Sequence, residues 1–237
     1  MNFVAISFFA LLGFLWPFIF TSSLGWYAYL LGPLAIILIA LEFRRKRFDS
    51  RTIALLAVLS ATMAVLRPLG AGFAGIEPMW FILIIGGSIF GPTFGFLLGT
   101  LGIISSAFIT SGIGPWLAYQ ALAAAWIGAL AGVIGYRLRV VSAVVGAMLF
   151  GLLMDLQYWP IVLGSQSQLS YSDAISVGGN IHRFLIYHFT TSMAWDIPRA
   201  ILTATLVATI GKPLSLALNR AKLKMNFNER VMVRREG

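Results

Sequence analysis

Four ionisable residues fall within or beside long apolar stretches of this chain: Glu77, Asp155, Asp196 and Arg199. A charged side chain is costly inside a bilayer, so such residues face a bundle interior, pair with one another or mark a functional site. Asp196 and Arg199 are three residues apart, which places them on one face of a helix. Pro198 stands between them and is expected to bend that helix.

Aromatic, amide and imidazole side chains fall at similar heights in the predicted spans. They are Trp80, Trp116, Tyr119, Gln120, Tyr158, Trp159, His188 and Trp195. Together with the four ionisable residues they predict a concave, largely aromatic pocket with a few fixed polar groups, which is what a small-molecule site requires. Two simpler interpretations stay open: the aromatic residues form interfacial belts, and Asp196 with Arg199 forms a structural ion pair.

The composition places the pocket in a membrane protein. The chain has 237 residues, of which 59% are hydrophobic and 11% charged, far from the soluble average of about 25% charged. It has no cysteine, which excludes disulfides and thiolate chemistry. The two histidines are too few and too scattered to indicate a metal site, and we expect no cofactor. The net charge of +9 clusters at span ends, which favours the lipid bilayer as partner over nucleic acid.

The hydropathy pattern predicts an all-α, polytopic membrane helix bundle. Its eight apolar segments are 3–21, 26–42, 52–67, 78–91, 93–110, 115–136, 140–163 and 185–211. Fourteen basic residues fall on one side if both termini are cytoplasmic, and these are Arg44, Arg45, Lys46, Arg47, Arg51, Arg137, Arg139, Lys212, Arg220, Lys222, Lys224, Arg230, Arg234 and Arg235. Arg67 is expected to extend its side chain to the outer interface.

The charge runs divide the chain into four regions. We predict an N-terminal transmembrane hairpin (1–43), a basic cytoplasmic linker (44–51), a six-helix core (52–211) and a basic cytoplasmic tail (212–237). The fourth apolar segment is short, which indicates a tilted, abbreviated or re-entrant helix. The polar loop 164–184 is interpreted either as a lid over the outer face or as a hydrated connector.

Small residues follow a helical spacing in the middle of the chain. Gly91, Gly95, Gly99 and Gly102 form a ladder that lets helices approach closely. A second pair of small residues, Ala57 and Ala61, lies in the first core helix.

Three motifs resemble the substrate-binding (S) component of an energy-coupling factor (ECF) vitamin transporter. They are the G-P-x-x-G-F-x-x-G pattern at 91–99, the G-x-G-P-W-x-x-Y-Q stretch at 112–120, and the helix face with Ala57 and Ala61. The resemblance covers about 52–211 and implies a plasma-membrane binding subunit that is not an enzyme. It implies outer-face binding of a vitamin or precursor, and the subtype is most similar to members assigned to cobalamin-related cargo.

The resemblance also implies partners. A transmembrane coupling subunit would dock on Ala57 and Ala61, and two cytoplasmic ATPases would supply the energy. The sequence agrees, because it contains no GxxxxGK[ST] phosphate loop. The departure from the family is the N-terminal hairpin, whose role stays open.

Other classes fit less well. An autonomous secondary transporter using Asp155, Asp196 and Arg199 would show internal repeats, which are not evident. A non-catalytic assembly protein would need no outer polar groups. An intramembrane serine hydrolase would need Ser88 beside His188, but the predicted spans separate these residues by roughly 15–20 Å along the bilayer normal.

Overall fold

The computed structural model describes residues 3–19, 28–45, 48–70, 75–163 and 167–236. Helices account for the regular structure of these residues, and most neighbours along the chain are joined by short turns. The helices are α1 (Phe3–Ile19), α2 (Ala28–Arg45), α3 (Ser50–Leu66), α4 (Met79–Phe90), α5 (Pro92–Thr110), α6 (Leu117–Ile134), α7 (Arg139–Val162), α8 (Val177–Thr191), α9 (Met193–Thr209) and α10 (Gly211–Glu236). Short 3₁₀ turns at Arg67–Gly70 and Tyr136–Leu138 follow α3 and precede α7.

Local sequence signals set several helix starts. The Asp49 carboxylate accepts a hydrogen bond from the Thr52 amide and caps α3, and the Ser176 hydroxyl caps α8 through the Gly179 amide. Gly91 has a φ of 93°, which glycine tolerates readily, and reverses the chain between α4 and α5. Pro92 then opens α5, where a missing amide hydrogen is not needed.

The all-α membrane fold is confirmed, but the eight predicted spans are not reproduced one by one. Among the described residues, four helices are long and apolar enough to cross a bilayer: Ser50–Gly70, Pro92–Thr110, Leu117–Ile134 and Tyr136–Val162. A fifth candidate joins Met193–Thr209 to Gly211–Lys224 across a 62° bend. The short fourth segment is confirmed as the 12-residue α4, which extends about 18 Å and is shorter than the hydrocarbon core of about 30 Å.

The predicted segment 185–211 and the loop 164–184 need correction. The segment is two helices, α8 and α9, interrupted at Ser192, and Pro198 lies inside the helical range of α9. α8 begins at Val177, so the last eight residues of the predicted loop are helical. Polar residues obscured this helix: Asn180 and Arg183 sit on its first turns, and their side chains bond to the preceding connection.

Glycine allows α5 and α6 to pack backbone to backbone. A Cβ added at Gly95 would overlap the carbonyl oxygen of Gly128, and one added at Gly128 would overlap that of Gly95. Gly99 lies in the same way against Ala124 of α6, while Gly102 faces the Met63 side chain of α3. The predicted ladder therefore joins α5 to two neighbours, as small-residue interfaces do in membranes.

The terminal helices pack against the central ones. α1 and α2 contact each other, α2 also contacts α6, and α1 contacts α7 and α8. α10 contacts α4 and α9, and the Lys222 ammonium donates to the carbonyl of Ile89 in the last turn of α4. A cation at a helix carboxyl terminus also complements the helix dipole.

We predict that Gly95→Ala destabilises the protein by roughly 1–3 kcal/mol, because the added methyl group meets backbone atoms that cannot rotate away. The measurement is the thermal unfolding midpoint in detergent. Gly178→Ala is the matched control, since nothing lies within 4 Å of a Cβ at that position. Equal midpoints for the two variants would contradict the close packing of α5 on α6.

Candidate binding site

The connection between α3 and α4 brings its polar residues close to α9. A Cβ at Gly70 would overlap the Ile76 carbonyl, so Gly70 lies directly against Ile76. Gly75 has a φ of 73° and lies against the carbonyl of Trp195, a position where a side chain would be strained. Glu77 follows two residues later and so emerges beside the first turns of α9.

Arg67 joins the carboxyl end of α3 to α5 and α6. Its Nη1 donates to Ser106 Oγ at 2.7 Å, and its Nη2 donates to Gln120 Oε1 at 2.9 Å. Its Nε lies 3.8 Å from Glu77 Oε1. The expectation that Arg67 extends to the interface is therefore wrong, because its guanidinium turns inward to these partners.

The Glu77 carboxylate lies between two guanidinium groups. Besides Arg67, its Oε2 is 3.6 Å from Arg199 Nε, and it accepts a hydrogen bond of 2.8 Å from Trp80 Nε1. Arg199 in turn donates to Asp196 Oδ1 at 2.5 Å. We call this set the Glu77 network: Arg67, Glu77, Trp80, Ser106, Gln120, Asp196 and Arg199.

Helix α7 completes the surroundings of the Glu77 network. The Arg199 guanidinium lies 5.1 Å from the centre of the Phe150 ring, within cation–π range, and Trp80 packs on the same ring at 4.5 Å. The Asp196 carboxylate lies directly against Gly151, where any Cβ would overlap it. Five of the predicted site residues thus meet in this network: Glu77, Trp80, Gln120, Asp196 and Arg199.

Two other predicted site residues form a second polar group, the Asp155 cluster. Asp155 Oδ2 accepts hydrogen bonds from His188 Nδ1 at 2.8 Å and from the Ser192 hydroxyl at 2.5 Å. All three residues are buried. Asp155 is four residues after Gly151 on α7, and Ser192 is four residues before Asp196, so the cluster lies about one helical turn from the Glu77 network.

Some buried polar atoms of the Glu77 network have no hydrogen-bond partner within the part of the protein that the structure describes. Among the described buried atoms, Asp196 Oδ2 and Arg199 Nε have no hydrogen-bond partner. The two contacts of Glu77 with arginine, at 3.6 and 3.8 Å, are longer than hydrogen bonds. Unsatisfied buried polar atoms are costly, and they are also the donors and acceptors that a polar ligand could use.

Two predicted aromatic residues pack in the interior, away from the Glu77 network. Tyr119 is buried against Phe14 of α1, with ring centres 4.8 Å apart. Successive helical residues differ by about 100°, so Tyr119 and its neighbour Gln120 face different surroundings. Trp159 is fully buried and donates from Nε1 to the Leu169 carbonyl at 2.8 Å.

The remaining predicted aromatic residues lie toward the surface. Trp116 is half-buried and covers Gly114 in the turn before α6. The side chains of Tyr158 and Trp195 are 43% and 49% exposed, which suits the interfacial belt.

Three contributors to the polar region were missed by sequence reasoning: Arg67, Ser106 and Ser192. A signal existed for two of them. Arg67 falls at the same predicted end as Glu77 with the opposite charge, and Ser192 is midway in a four-residue spacing from His188 to Asp196. Ser106 is one of several hydroxyl residues in α5, and nothing in the sequence distinguishes it.

Residues 167–176 of the connection between α7 and α8 are fixed to α8 by two hydrogen bonds. Asn180 Nδ2 donates to the Ser172 carbonyl at 2.9 Å, and Arg183 Nη1 donates to the Ser170 carbonyl at 2.8 Å. The Tyr171 hydroxyl donates to Asp173, and burial, with this hydrogen bond, raises the pKa of Tyr171 to about 12. Its ring packs on Trp16 of α1 at 5.4 Å.

The serine hydrolase alternative gains nothing from the structure. The Ser88 hydroxyl donates to the carbonyl of Ile85 in its own helix, while the His188 imidazole is paired with Asp155. A nucleophile and its base need to lie within hydrogen-bond reach of each other.

These features define the class of protein: a multi-pass, all-α membrane protein with a charged network buried among its helix ends. The chain matches the family model of the substrate-specific component of ECF transporters over residues 51–211, which is more than half of its length. The chain therefore belongs to this family of substrate-binding transporter subunits, which act on small molecules together with an ECF module. No match to a curated protein or to a solved structure was found.

We predict that Gly151→Ala disrupts the Glu77 network by displacing the Asp196 carboxylate, which a Cβ would overlap. The expected loss is roughly 1–3 kcal/mol of stability, measured as a lower thermal unfolding midpoint. In an Asp196→Ala background the same substitution should cost much less, because the overlapping carboxylate is absent. Equal costs in both backgrounds would show that the two residues do not interact.

Proposed function

We propose that this protein captures a vitamin or cofactor precursor at the outer face of the plasma membrane and delivers it with an ECF coupling subunit and two cytoplasmic ATPases. A cobalamin-related compound is the first candidate for the cargo. The observation that carries the proposal is the Glu77 network, in which Arg67, directly after α3, and residues of α5, α6 and α9 meet beside the start of α4.

The free-energy cost of burying the charges of the Glu77 network supports a binding role. Taking charges out of water costs several kcal/mol per ion, and an ion pair offsets this only when its geometry is good and its other donors and acceptors are satisfied. Here Glu77 is shared between two arginines at distances beyond hydrogen bonding, and Asp196 Oδ2 has no partner among the described atoms. Hydrophobic residues would hold the helices together more cheaply, so this arrangement favours a polar ligand.

The placement of the basic residues supports binding at the outer face. The Glu77 network lies where α3 and α5 end and where α4 and α6 begin. The other ends of these helices are adjacent to the basic residues, as at Arg137 and Arg139 after α6 and at Lys222 beside the end of α4. By the positive-inside rule the basic end is cytoplasmic, and the network then faces outward.

The exposed face of α3 supports a docking surface for the coupling subunit. Ala57 and Ala61 are both exposed, as are Val58 and Val65 on the same helix. Small residues at such a face allow close approach of a second helix. The sequence has no phosphate-binding loop of its own, which agrees with energy supplied by separate ATPases.

We predict that the purified protein alone binds one compound of a panel containing cobalamin, thiamine and riboflavin. Binding is followed by tryptophan fluorescence and checked by calorimetry, because coloured ligands absorb the emitted light. Gln120→Ala and Asp196→Asn should each weaken binding about tenfold, the effect of roughly 1.4 kcal/mol, since the first removes the acceptor of Arg67 and the second removes the charge that pairs with Arg199.

Phe108→Ala is the control for these variants, because Phe108 is 73% exposed near the end of α5 and outside the network. Wild-type affinity in both network variants would show that the site lies elsewhere. No binding of any compound would favour a ligand outside the panel or an assembly protein. Ion-driven uptake without ATP would favour an autonomous secondary transporter.

We also predict that Ala57→Leu or Ala61→Leu leaves ligand binding intact and abolishes transport, because the larger side chain holds the coupling subunit away from α3. The measurements are ligand affinity and recovery of the coupling subunit with the purified protein. Val144→Leu, at an exposed position of α7, is the control for added bulk. Undiminished recovery of the coupling subunit with both alanine variants would count against this docking surface.

A further inference from the structure

The hairpin of α1 and α2 lies outside the family match, which begins at residue 51, yet α1 is closely integrated with the rest of the protein. Phe14 is fully buried and packs on Tyr119 and Trp126 of α6, with ring centres 4.8 and 5.4 Å away. Trp126 Nε1 also donates to Ser7 Oγ at 2.9 Å. A helix that served only as an anchor would not need these matched contacts.

The carboxyl-terminal end of α1 reaches the aromatic residues above the Asp155 cluster. Phe18 packs on Trp159 and on Phe184, each with ring centres 6.0 Å apart. Trp159 and Phe184 contact each other at 5.5 Å. Phe18, Trp159 and Phe184 therefore form an aromatic layer in which each ring touches the other two.

The aromatic layer lies one helical turn from the Asp155 cluster on two helices. On α7, Trp159 follows Asp155 by four residues, and on α8, Phe184 precedes His188 by four residues. The aromatic layer contacts the Asp155 cluster directly. The Phe184 ring stacks on the His188 imidazole with an interplanar angle of 15° and ring centres 6.0 Å apart. His188 then holds the Asp155 carboxylate.

We propose that the hairpin is part of the binding unit and that Phe18 is a positioning residue for His188. Phe18 fixes the Phe184 ring against Trp159, the Phe184 ring fixes the plane of the His188 imidazole, and the imidazole orients Asp155 beside the Glu77 network. That this geometry serves cargo binding rests on the proposed function. The positioning itself does not, and it is measurable without a ligand.

The first test is the NMR signal of ¹³C-labelled histidine. The chain has two histidines; His182 is exposed and serves as an internal reference, while His188 is buried. Phe18→Ala should release the Phe184 ring, which stacks on His188. Because an aromatic ring shifts the resonances of the protons above it, the His188 ring signals should then move, while those of His182 should stay in place. Phe18→Tyr, which retains the ring, should restore the wild-type spectrum.

Phe9→Ala is the matched control on the same helix, because Phe9 is 47% exposed and packs on Phe8. It should leave both histidine signals unchanged. If Phe18→Ala does not yield folded protein, Phe18→Leu carries the same test, since it keeps an apolar side chain but removes the ring. An unchanged His188 signal in the folded Phe18 variant would overturn the proposal.

The second test joins the hairpin to binding through a double-mutant cycle. For whichever of cobalamin, thiamine and riboflavin binds the wild-type chain, Phe18→Ala should lower affinity about tenfold. In a His188→Ala background it should cause no further loss, since Phe18 acts through His188. Equal losses in both backgrounds would overturn the proposed route.

The two proposals fail in different ways. If none of the three compounds binds, the cargo lies outside this panel or the binding role is wrong, and the His188 spectrum still decides the role of Phe18. If one binds but the spectrum does not respond to Phe18→Ala, the hairpin inference alone is wrong.

Discussion

The sharing of one carboxylate, Glu77, between Arg67 and Arg199 is the interaction on which the ordered end of this bundle depends. Each charge is expensive away from water, and removing one partner of a buried ion pair costs about 3–5 kcal/mol because the other charge is left uncompensated. The two arginines are anchored to different helices, Arg67 through Gln120 of α6 and Arg199 through Asp196 of α9. The helix ends are therefore mutually dependent, and a displacement of any one of them exposes a charge to an apolar surrounding.

The helix ends can meet in this way only if the helix backbones approach closely, and glycine residues allow that approach. Lipid does not drive helices together as water does, so packing must come from contact at short range. Gly87 and Gly95 both lie against the carbonyl of Gly128, which brings α4 and α5 onto the same point of α6. Side chains at these positions would separate the three helices and would carry Arg67, Glu77 and Gln120 apart.

The sequence predicts where the helices lie along the chain better than it predicts which face of each helix turns inward. Long apolar segments, the abbreviated α4 and the glycine ladder follow from composition and spacing, and charges as rare as Glu77, Asp196 and Arg199 were identifiable because each stands out in an apolar context. Which face of a helix turns inward depends on partners distant in sequence. The sequence alone therefore does not show that Gln120 belongs to the Glu77 network while its neighbour Tyr119 does not. The inward turn of Arg67 does not follow from its sequence position, because arginine at a span end usually reaches water. The pattern predicts the first turns of α8 as loop, since Asn180 and Arg183, which bond to the adjacent connection, are polar residues typical of loops in an apolar chain.

Helix α3 links the proposed docking face to the binding region. Its exposed face contains Ala57 and Ala61, and Arg67 lies directly after its last residue, bonded to Ser106 and Gln120. α3 contacts α5 along its length through residues such as Met63 beside Gly102. A partner that shifts α3 must therefore either move α5 with it or break the Arg67 bonds. On the proposed function, docking at Ala57 and Ala61 would thus reach the Glu77 network through α3 and its contact with α5.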